Sequence, residues 1–498
     1  VTHLVDLSQA ALGGLGDVYG EIGAVTEVAD GVVFCSGLLK ARLNEVVLID
    51  GVHRGVVILL TEDFVGVGVL PRGADVVREG SRVELTGQLF TATVSNDIAG
   101  RVLDASGAPV DGGRRITGAV GRPGFSRPPA LSTIARVDRP LETGIVAIDA
   151  ITPIGKGQRQ QILGDRATGK TQLVMDIIVN QRGKQVRCLY VALGSRISEV
   201  SSLCDQLRVR GAMEYTTVVL APADASLTET YLAPYYAAAL AEQLRDAGED
   251  VLVVFDDLTA HADAYRSIAL LLRRTPGREA YPGDVFYLHG SLLERGAQLT
   301  EAHGGGSITM LALVDTLSGD LTSYIASNVM SITDGQIVLS SSLANEGQLP
   351  AIDLGPSVSR IGRDAQYPVV AQLTGGLRRT LAIYEDLKPM LMYDNALSET
   401  QRGHVAAARA IRAVLGQRAW QPVRLGELVV LLWALQQGVI AALPPRDMPV
   451  MRDLLVKVAS ESEDYLDFED SIRQIDALAE PHLEYMSGVV EAARARLG

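Results

Sequence analysis

Cysteine is scarce: Cys35, Cys188 and Cys204 are the only three in 498 residues, an odd number with no CxxC spacing. That excludes a disulfide framework and a thiolate metal site, and points to reduced, structural thiols in a cytosolic compartment. The seven histidines are scattered without HExxH or similar spacing, so they read as structural rather than as metal ligands. Aromatic residues make up 5% and the net charge is −14, which argues against a nucleic-acid or anionic-membrane surface as the main partner. The most apolar stretch, Leu428 to Leu435, is broken by Gln436-Gln437; it is too short to cross a bilayer and predicts a buried helix. The first residues, Val1 to Asp6, carry no basic n-region and no Arg-rich transit pattern. What is present is ample core material, 47% apolar with 21% charged, in a chain long enough for two or three domains.

Texture divides the chain. After an N-terminal extension over 1–19, residues 20–95 hold short Val- and Gly-rich runs such as Glu45 to Gly51 and Gly55 to Leu60, closely punctuated by turns, which predicts a small β-barrel. Gly, Pro and Arg stud the segment from about 100 to 145, a crossing into the next domain. Residues 96–370, with that lead-in, alternate apolar strands with helical stretches, the pattern of a mostly parallel sheet with helices on both faces. Val251 to Phe255 is a continuous apolar run and predicts a buried central strand. Residues 371–498 are helical: Ser398-Glu399-Thr400-Gln401 fits a capping box, and a second helix is expected over 425–443. The fold class expected is multidomain, a β-barrel, then a phosphate-loop α/β domain, then a C-terminal α-helical bundle.

One octapeptide carries the chemistry. Gly164-Asp165-Arg166-Ala167-Thr168-Gly169-Lys170-Thr171 follows a candidate strand, Gln160 to Leu163, and precedes a helix with Leu173, Val174, Ile177 and Ile178 on one face. Such a loop turns backbone N–H groups inward around phosphates at the positive end of a helix dipole. Its glycines allow the tight path, Lys170 reaches the outer phosphates, and the Thr171 hydroxyl can ligate Mg²⁺. The alternative is an ordinary glycine-rich strand–helix turn. Asp256, ending the Val251–Phe255 run, is the candidate outer-shell partner for Mg²⁺.

The same loop, with Leu270 to Tyr287, Ser331 to Gln336 and Pro350 to Arg360, closely resembles the alpha subunits of F-type ATP synthases, from about residue 20 to the end. The resemblance implies a nucleotide-binding, non-hydrolysing subunit with ATP/ADP and Mg²⁺ as ligands, alternating with beta subunits in a six-membered ring. It further implies a central rotor of gamma type, a peripheral stalk of delta/b type, and membrane contact only through the ion-translocating sector. Low Lys, abundant Arg and Ala, and the lack of a transit pattern favour a bacterium, hence the cytoplasmic side of the plasma membrane. Cofactor-binding positions implied are Gly164 to Gln172 and Gln417, the first of two family glutamines that approach adenine. Arg360 is implied to be an arginine finger projected into the neighbouring beta site, against the alternative of an interface salt bridge. Ser357 is implied to be a position needed for activity at the same interface. Lys388 to Leu397 corresponds to the loop facing the rotor, and the short N-terminal segment suggests an altered stalk attachment.

Several positions depart from the family. Ser195 follows Gly194 where catalytic relatives carry the glutamate that orients water. A hydroxyl cannot take that proton, and losing a positioned base costs about 10²–10⁴ in rate. Glu199 stands in the wrong register to replace it, and a solvated helical glutamate is the preferred reading. Ala167, Leu349 and Ala419 replace polar residues of the pocket, so weakened or less base-selective nucleotide binding is expected. Two other functions remain open at this point: a catalytic hexameric ATPase of the flagellar or secretion type, which would need Glu in place of Ser195, and a ring nucleic-acid translocase, which would need a basic channel and stacking aromatics.

Overall fold

The computed structural model describes residues 21–70, 76–392 and 398–497. The expected N-terminal extension, and Tyr393 to Leu397 of the expected rotor-facing loop, lie outside the described residues.

Alternating valines form the first layer. Strands β1 (Ile22–Ala29), β2 (Val32–Ser36), β3 (Glu45–Ile49), β4 (His53–Leu60), β5 (Val65–Val69) and β6 (Arg82–Leu89) close into a barrel in the order β1-β2-β5-β4-β3-β6. Inward-facing Val25, Val33, Val47, Val57, Val67 and Val83 fill it, as a period of two requires. The barrel sits on the middle domain through glycine: a Cβ on Gly68 would lie 2.5 Å from the Thr228 hydroxyl, so only a bare backbone allows this approach. β7 (Thr91–Val94) leaves the barrel and pairs with β9 (Val120–Pro123), while β8 (Val102–Leu103) joins the main sheet, so the crossing segment is partly structured.

The middle domain is built on β10 (Arg159–Asp165), β11 (Val186–Ser195), β12 (Thr216–Pro222), β13 (Asp250–Asp256), β14 (Ser307–Thr316), β15 (Gly335–Leu339) and β16 (Ile352–Ser359). The sheet order is β16-β15-β10-β14-β13-β11-β12-β8, parallel throughout except for the antiparallel edge strand β16. β13, the Val251–Phe255 run, is central and buried on both faces. Helix Leu227–Asp246 packs on the sheet and is buried nearly all round, with Ala237, Ala238, Ala239 and Ala241 all fully buried. With every parallel strand pointing the same way, the C-terminal ends of β10, β13 and β14 gather at one edge, where ligands bind in such sheets.

The last layer is helical, with helices Leu377–Leu387, Glu399–Leu415, Leu425–Gln436, Met448–Glu461, Tyr465–Ile472 and Glu480–Leu497. The capping box forms: the Ser398 hydroxyl accepts from Gln401 N–H, and the Gln401 amide oxygen accepts from Ser398 N–H. The helix expected over 425–443 stops at Gln436, because Gly438 adopts φ +71, a left-handed terminus. Leu428 to Leu432 are buried in it, and no helix among the described residues is long and apolar enough to cross a membrane. The architecture is the expected one: barrel, mostly parallel α/β domain, helical domain.

Candidate functional site

β10 delivers Gly164 and Asp165 at its C-terminal end, just before the helix Lys170–Val179. A Cβ on Gly164 would stand 2.7 Å from the Leu339 carbonyl oxygen, so the strand end can pass β15 only as glycine. Gly169 takes φ +94 at the helix start, and no side chain caps the first turn. An uncapped helix start presents N–H groups and the positive end of the dipole to an anion.

The side chains of the loop are held by one another. Lys170 is buried; its ammonium donates to the Gly164 and Asp165 carbonyls at 2.8 Å each and pairs with Asp315 at 2.9 Å. Asp315, the last residue but one of β14, also pairs with the exposed Arg166 at 3.0 Å. Asp165 turns away from the helix start: its carboxylate accepts from Gly319 N–H and the Thr316 and Ser341 hydroxyls, and the Gly319 bond leads in holding its pKa below the ordinary value. Ala167 sits at the exposed turn with φ +63, and the Thr168 hydroxyl donates to the Asp165 carbonyl at 2.7 Å.

On the metal side, Thr171 Oγ1 donates to Asp256 Oδ2 at 2.9 Å, and the Tyr190 hydroxyl donates to the same oxygen at 2.7 Å. Burial raises the Asp256 pKa against these two bonds, so a cation there would relieve a desolvated carboxylate. That donor set fits Mg²⁺ bound together with phosphate oxygens and water. Its neighbour Asp257 is spent differently, capping helix Leu258–Leu271 by accepting from Ala260 N–H at 2.7 Å. Ser195, Glu199, Thr171, Tyr190 and Asp256 line one cavity of about 470 Å³. Glu199 is exposed in the first turn of helix Ile197–Val209, so it is solvated as expected and also borders this cavity.

Gln172 and Gln417 stand further off. The Gln172 amide donates to Asp176 at 2.8 Å, and Asp176 accepts Trp420 N–H at 2.8 Å, which docks the 417–421 turn beside the helix. The Gln417 amide is buried and committed to backbone: it accepts from Val146 N–H at 3.2 Å and donates to the Gly144 and Gln421 carbonyls at 2.7 and 2.8 Å. Its own N–H bonds the Leu349 carbonyl at 2.7 Å, so the substituted segments at Leu349 and Arg418-Ala419 adjoin.

Ser357 lies in the edge strand β16, and Arg360 directly follows its last residue, Ser359. Ser357 is fully buried; its hydroxyl accepts Val338 N–H at 3.0 Å and donates to the Asp353 carbonyl. Arg360 is exposed, its guanidinium touches only the Met330 carbonyl at 3.4 Å, and it has no carboxylate partner among the described residues. Arg360 N–H bonds the Asp334 carbonyl, at the start of β15, whereas Gly164 pairs with Leu339 at its end. A strand advances about 3.3 Å per residue, so the five residues of β15 put roughly 17 Å between Arg360 and the phosphate loop of its own chain.

A family model for the nucleotide-binding domain of the ATP synthase alpha/beta family matches residues 144–359, and one for the C terminal domain of the alpha/beta chain matches 366–493. The chain is 46% identical over 473 residues to ATP synthase subunit alpha 1 of Listeria monocytogenes, with 95% of each chain covered. It is 44% identical to that of Listeria welshimeri, covering 95% of this chain and 94% of the relative, and 40% identical to ATP synthase subunit alpha of Mycoplasmopsis synoviae, covering 91% and 85%.

The chain belongs to the ATP synthase alpha/beta family. Within it the chain is of alpha type, part of an F-type, ion-translocating ATP synthase, and its middle domain is the family's nucleotide-binding domain. Two groups in this alpha-type site escaped notice in the sequence, Asp315 and Tyr190. Asp315 follows the apolar run Met310 to Val314, and so carries the same strand–carboxylate signal that picked out Asp256. Tyr190 carries no local signal; β11 and β13 become neighbours only in the folded sheet.

Proposed function

We propose that this alpha-type chain holds Mg-ATP or Mg-ADP without splitting it, and lends Arg360 to the active centre of a neighbouring beta subunit. In its own site the N–H groups of Gly164 to Thr171 and the Lys170 ammonium hold phosphates, while Thr171 and Asp256 hold Mg²⁺. The cation supplies charge neutralisation between phosphate oxygens when bound. Gln172 and Gln417 serve by ordering the turn on the base side, since their amides are engaged by Asp176 and by backbone. Ser195 offers no base for an attacking water, which supports binding over hydrolysis.

The position of Arg360 carries the proposal. A guanidinium is always charged and forks onto two phosphate oxygens, yet the backbone that carries this one stands roughly 17 Å from its own loop by strand geometry. Any triphosphate it meets therefore belongs to another chain. Such an arginine contributes about 10³–10⁵ in turnover. The assembly that follows is a ring alternating with beta subunits around a gamma-type rotor, with a delta/b-type stalk, peripheral on the cytoplasmic side of a bacterial plasma membrane. In a reconstituted complex Arg360→Ala leaves the ring assembled and lowers multisite ATPase turnover by about 10³-fold or more. Near-normal turnover overturns the assignment.

A further inference from the structure

The arginine Arg360 sits at the end of a segment that is not ordinary strand. Gln336 pairs with Val358, but Val338 pairs with Asp353, so the single residue Ile337 on β15 faces the four residues Leu354 to Ser357 on β16. One side of this bulge is open: Leu354 and Gly355 line a cleft of about 440 Å³ that residues of the α/β and helical domains share. Polar ties help to hold it. The Gln336 amide donates to the Pro356 carbonyl at 3.0 Å, and the Ser357 hydroxyl bridges Val338 and Asp353.

The remaining tie comes from the other domain. Arg378, the second residue of helix Leu377–Leu387, donates from Nη1 to the carbonyls of Leu354 and Ser357, both at 3.0 Å, and from Nη2 to the Ile151 carbonyl at 3.2 Å. It has no carboxylate partner among the described residues, and partial burial pulls its pKa below the ordinary value. A guanidinium that forgoes an ion pair for three carbonyls acts through its fork geometry, which lysine lacks. The Ile151 contact extends the grip: Pro153, two residues on, accepts the Ser359 hydroxyl at 2.8 Å, immediately before Arg360. Arg378 thus clasps both sides of the peptide that presents Arg360.

We infer that Arg378 is a positioning residue that ties the helical domain to the bulge and so sets where Arg360 stands in the neighbouring site. The inference rests on the proposed finger role of Arg360. A displacement of helix Leu377–Leu387 is carried by the three carbonyl bonds to Leu354, Ser357 and Ile151, and from Ser357 along three residues of backbone to Arg360, with the Pro153–Ser359 hydrogen bond as the second route.

The test uses the reconstituted complex. Arg378→Met keeps side-chain length and removes every donor; multisite kcat falls about tenfold or more, while KM for Mg-ATP stays within about twofold. In an Arg360→Ala background the same change produces no further loss, because it acts through a group already gone. Arg378→Lys does not restore turnover, since a point charge cannot serve three carbonyls in separate directions. Normal kcat in Arg378→Met, or an equal fractional loss with and without Arg360, overturns the inference and leaves the finger standing. Normal turnover in Arg360→Ala alone overturns the finger, and this inference with it. Should Arg378→Met fail to assemble, Arg378→Gln, which keeps two amide hydrogens, carries the same comparison, with an intermediate kcat expected and an unchanged one refuting.

Discussion

Replacing Ser357 by alanine removes one oxygen atom that serves two backbone groups. Its hydroxyl takes the Val338 N–H at 3.0 Å where the bulge has displaced the usual strand carbonyl, and gives its own proton to the Asp353 carbonyl. The half-buried Asp353 carbonyl can turn to water; the Val338 N–H, in a residue 6% exposed, cannot. Leaving a buried donor unsatisfied costs about 1–3 kcal/mol, and alanine adds no steric compensation. A local loss of about 2 kcal/mol corresponds to a roughly 30-fold rise in the population of opened β15/β16 edge. Amide hydrogen exchange of peptides spanning 335–359 reads this directly, and those amides in Ser357→Ala should exchange roughly 30-fold faster while the central strands keep their protection. Multisite turnover of the assembled complex should fall with it, because Arg360 is three residues downstream. Unchanged exchange together with lost turnover refutes the reasoning, since Ser357 would then act by touching a partner. Unchanged exchange with normal turnover refutes any role at all.

Two further outcomes follow from the ionisable groups. Asp315→Asn frees Lys170 from a carboxylate with which phosphate must compete, so Mg-ADP should bind the isolated chain about tenfold more tightly by equilibrium titration, about 1.4 kcal/mol; unchanged or weaker binding counts against Asp315 as a competitor. Burial, with Asp104 and Asp224 nearby, raises the Glu229 carboxyl from 4.5 to about 7. The folded state therefore holds an extra proton between those values, and stability falls as pH rises through that window. Glu229→Gln removes this slope: the variant should exceed the parent by about 1–3 kcal/mol at pH 8 and match it near pH 4. An equal difference in unfolding midpoint at both pH values rules out titration of this group as the cause.

What was legible in the sequence was local. The phosphate loop, the Ser398–Gln401 capping box and the β13 run each compress their signal into a few adjacent residues, and all three take the expected shape. Strand order is not written locally: Asp315 reaches Lys170, and Tyr190 reaches Asp256, because β10, β14, β13 and β11 lie side by side, a fact of the sheet rather than of any window. Gln417 looks like a free amide in sequence, yet it is consumed by Gly144 and Val146, more than two hundred residues earlier. Two local signals went unused. Gly438 marked the end of the helix expected to run to 443, and Gly355-Pro356 inside β16 marked a bulge, since neither residue suits a regular ladder.

The bulge and the loop together explain why such a chain is incomplete alone. A parallel sheet has two ends of unlike chemistry: strand C-termini converge on helix starts and gather anions, while the opposite end has no such convergence. The phosphate loop occupies the first end. Arg360 occupies the second, just past the antiparallel edge strand, where among the described residues it has no carboxylate partner and only the Met330 carbonyl at 3.4 Å. Under the proposed function each chain then carries one site that lacks a base, at Ser195, and one charge that lacks a substrate, at Arg360. Those half-sites cannot meet within one polypeptide, because the length of β15 separates them. They can be completed only across an interface, so the same strand length that isolates Arg360 makes turnover a property of the ring.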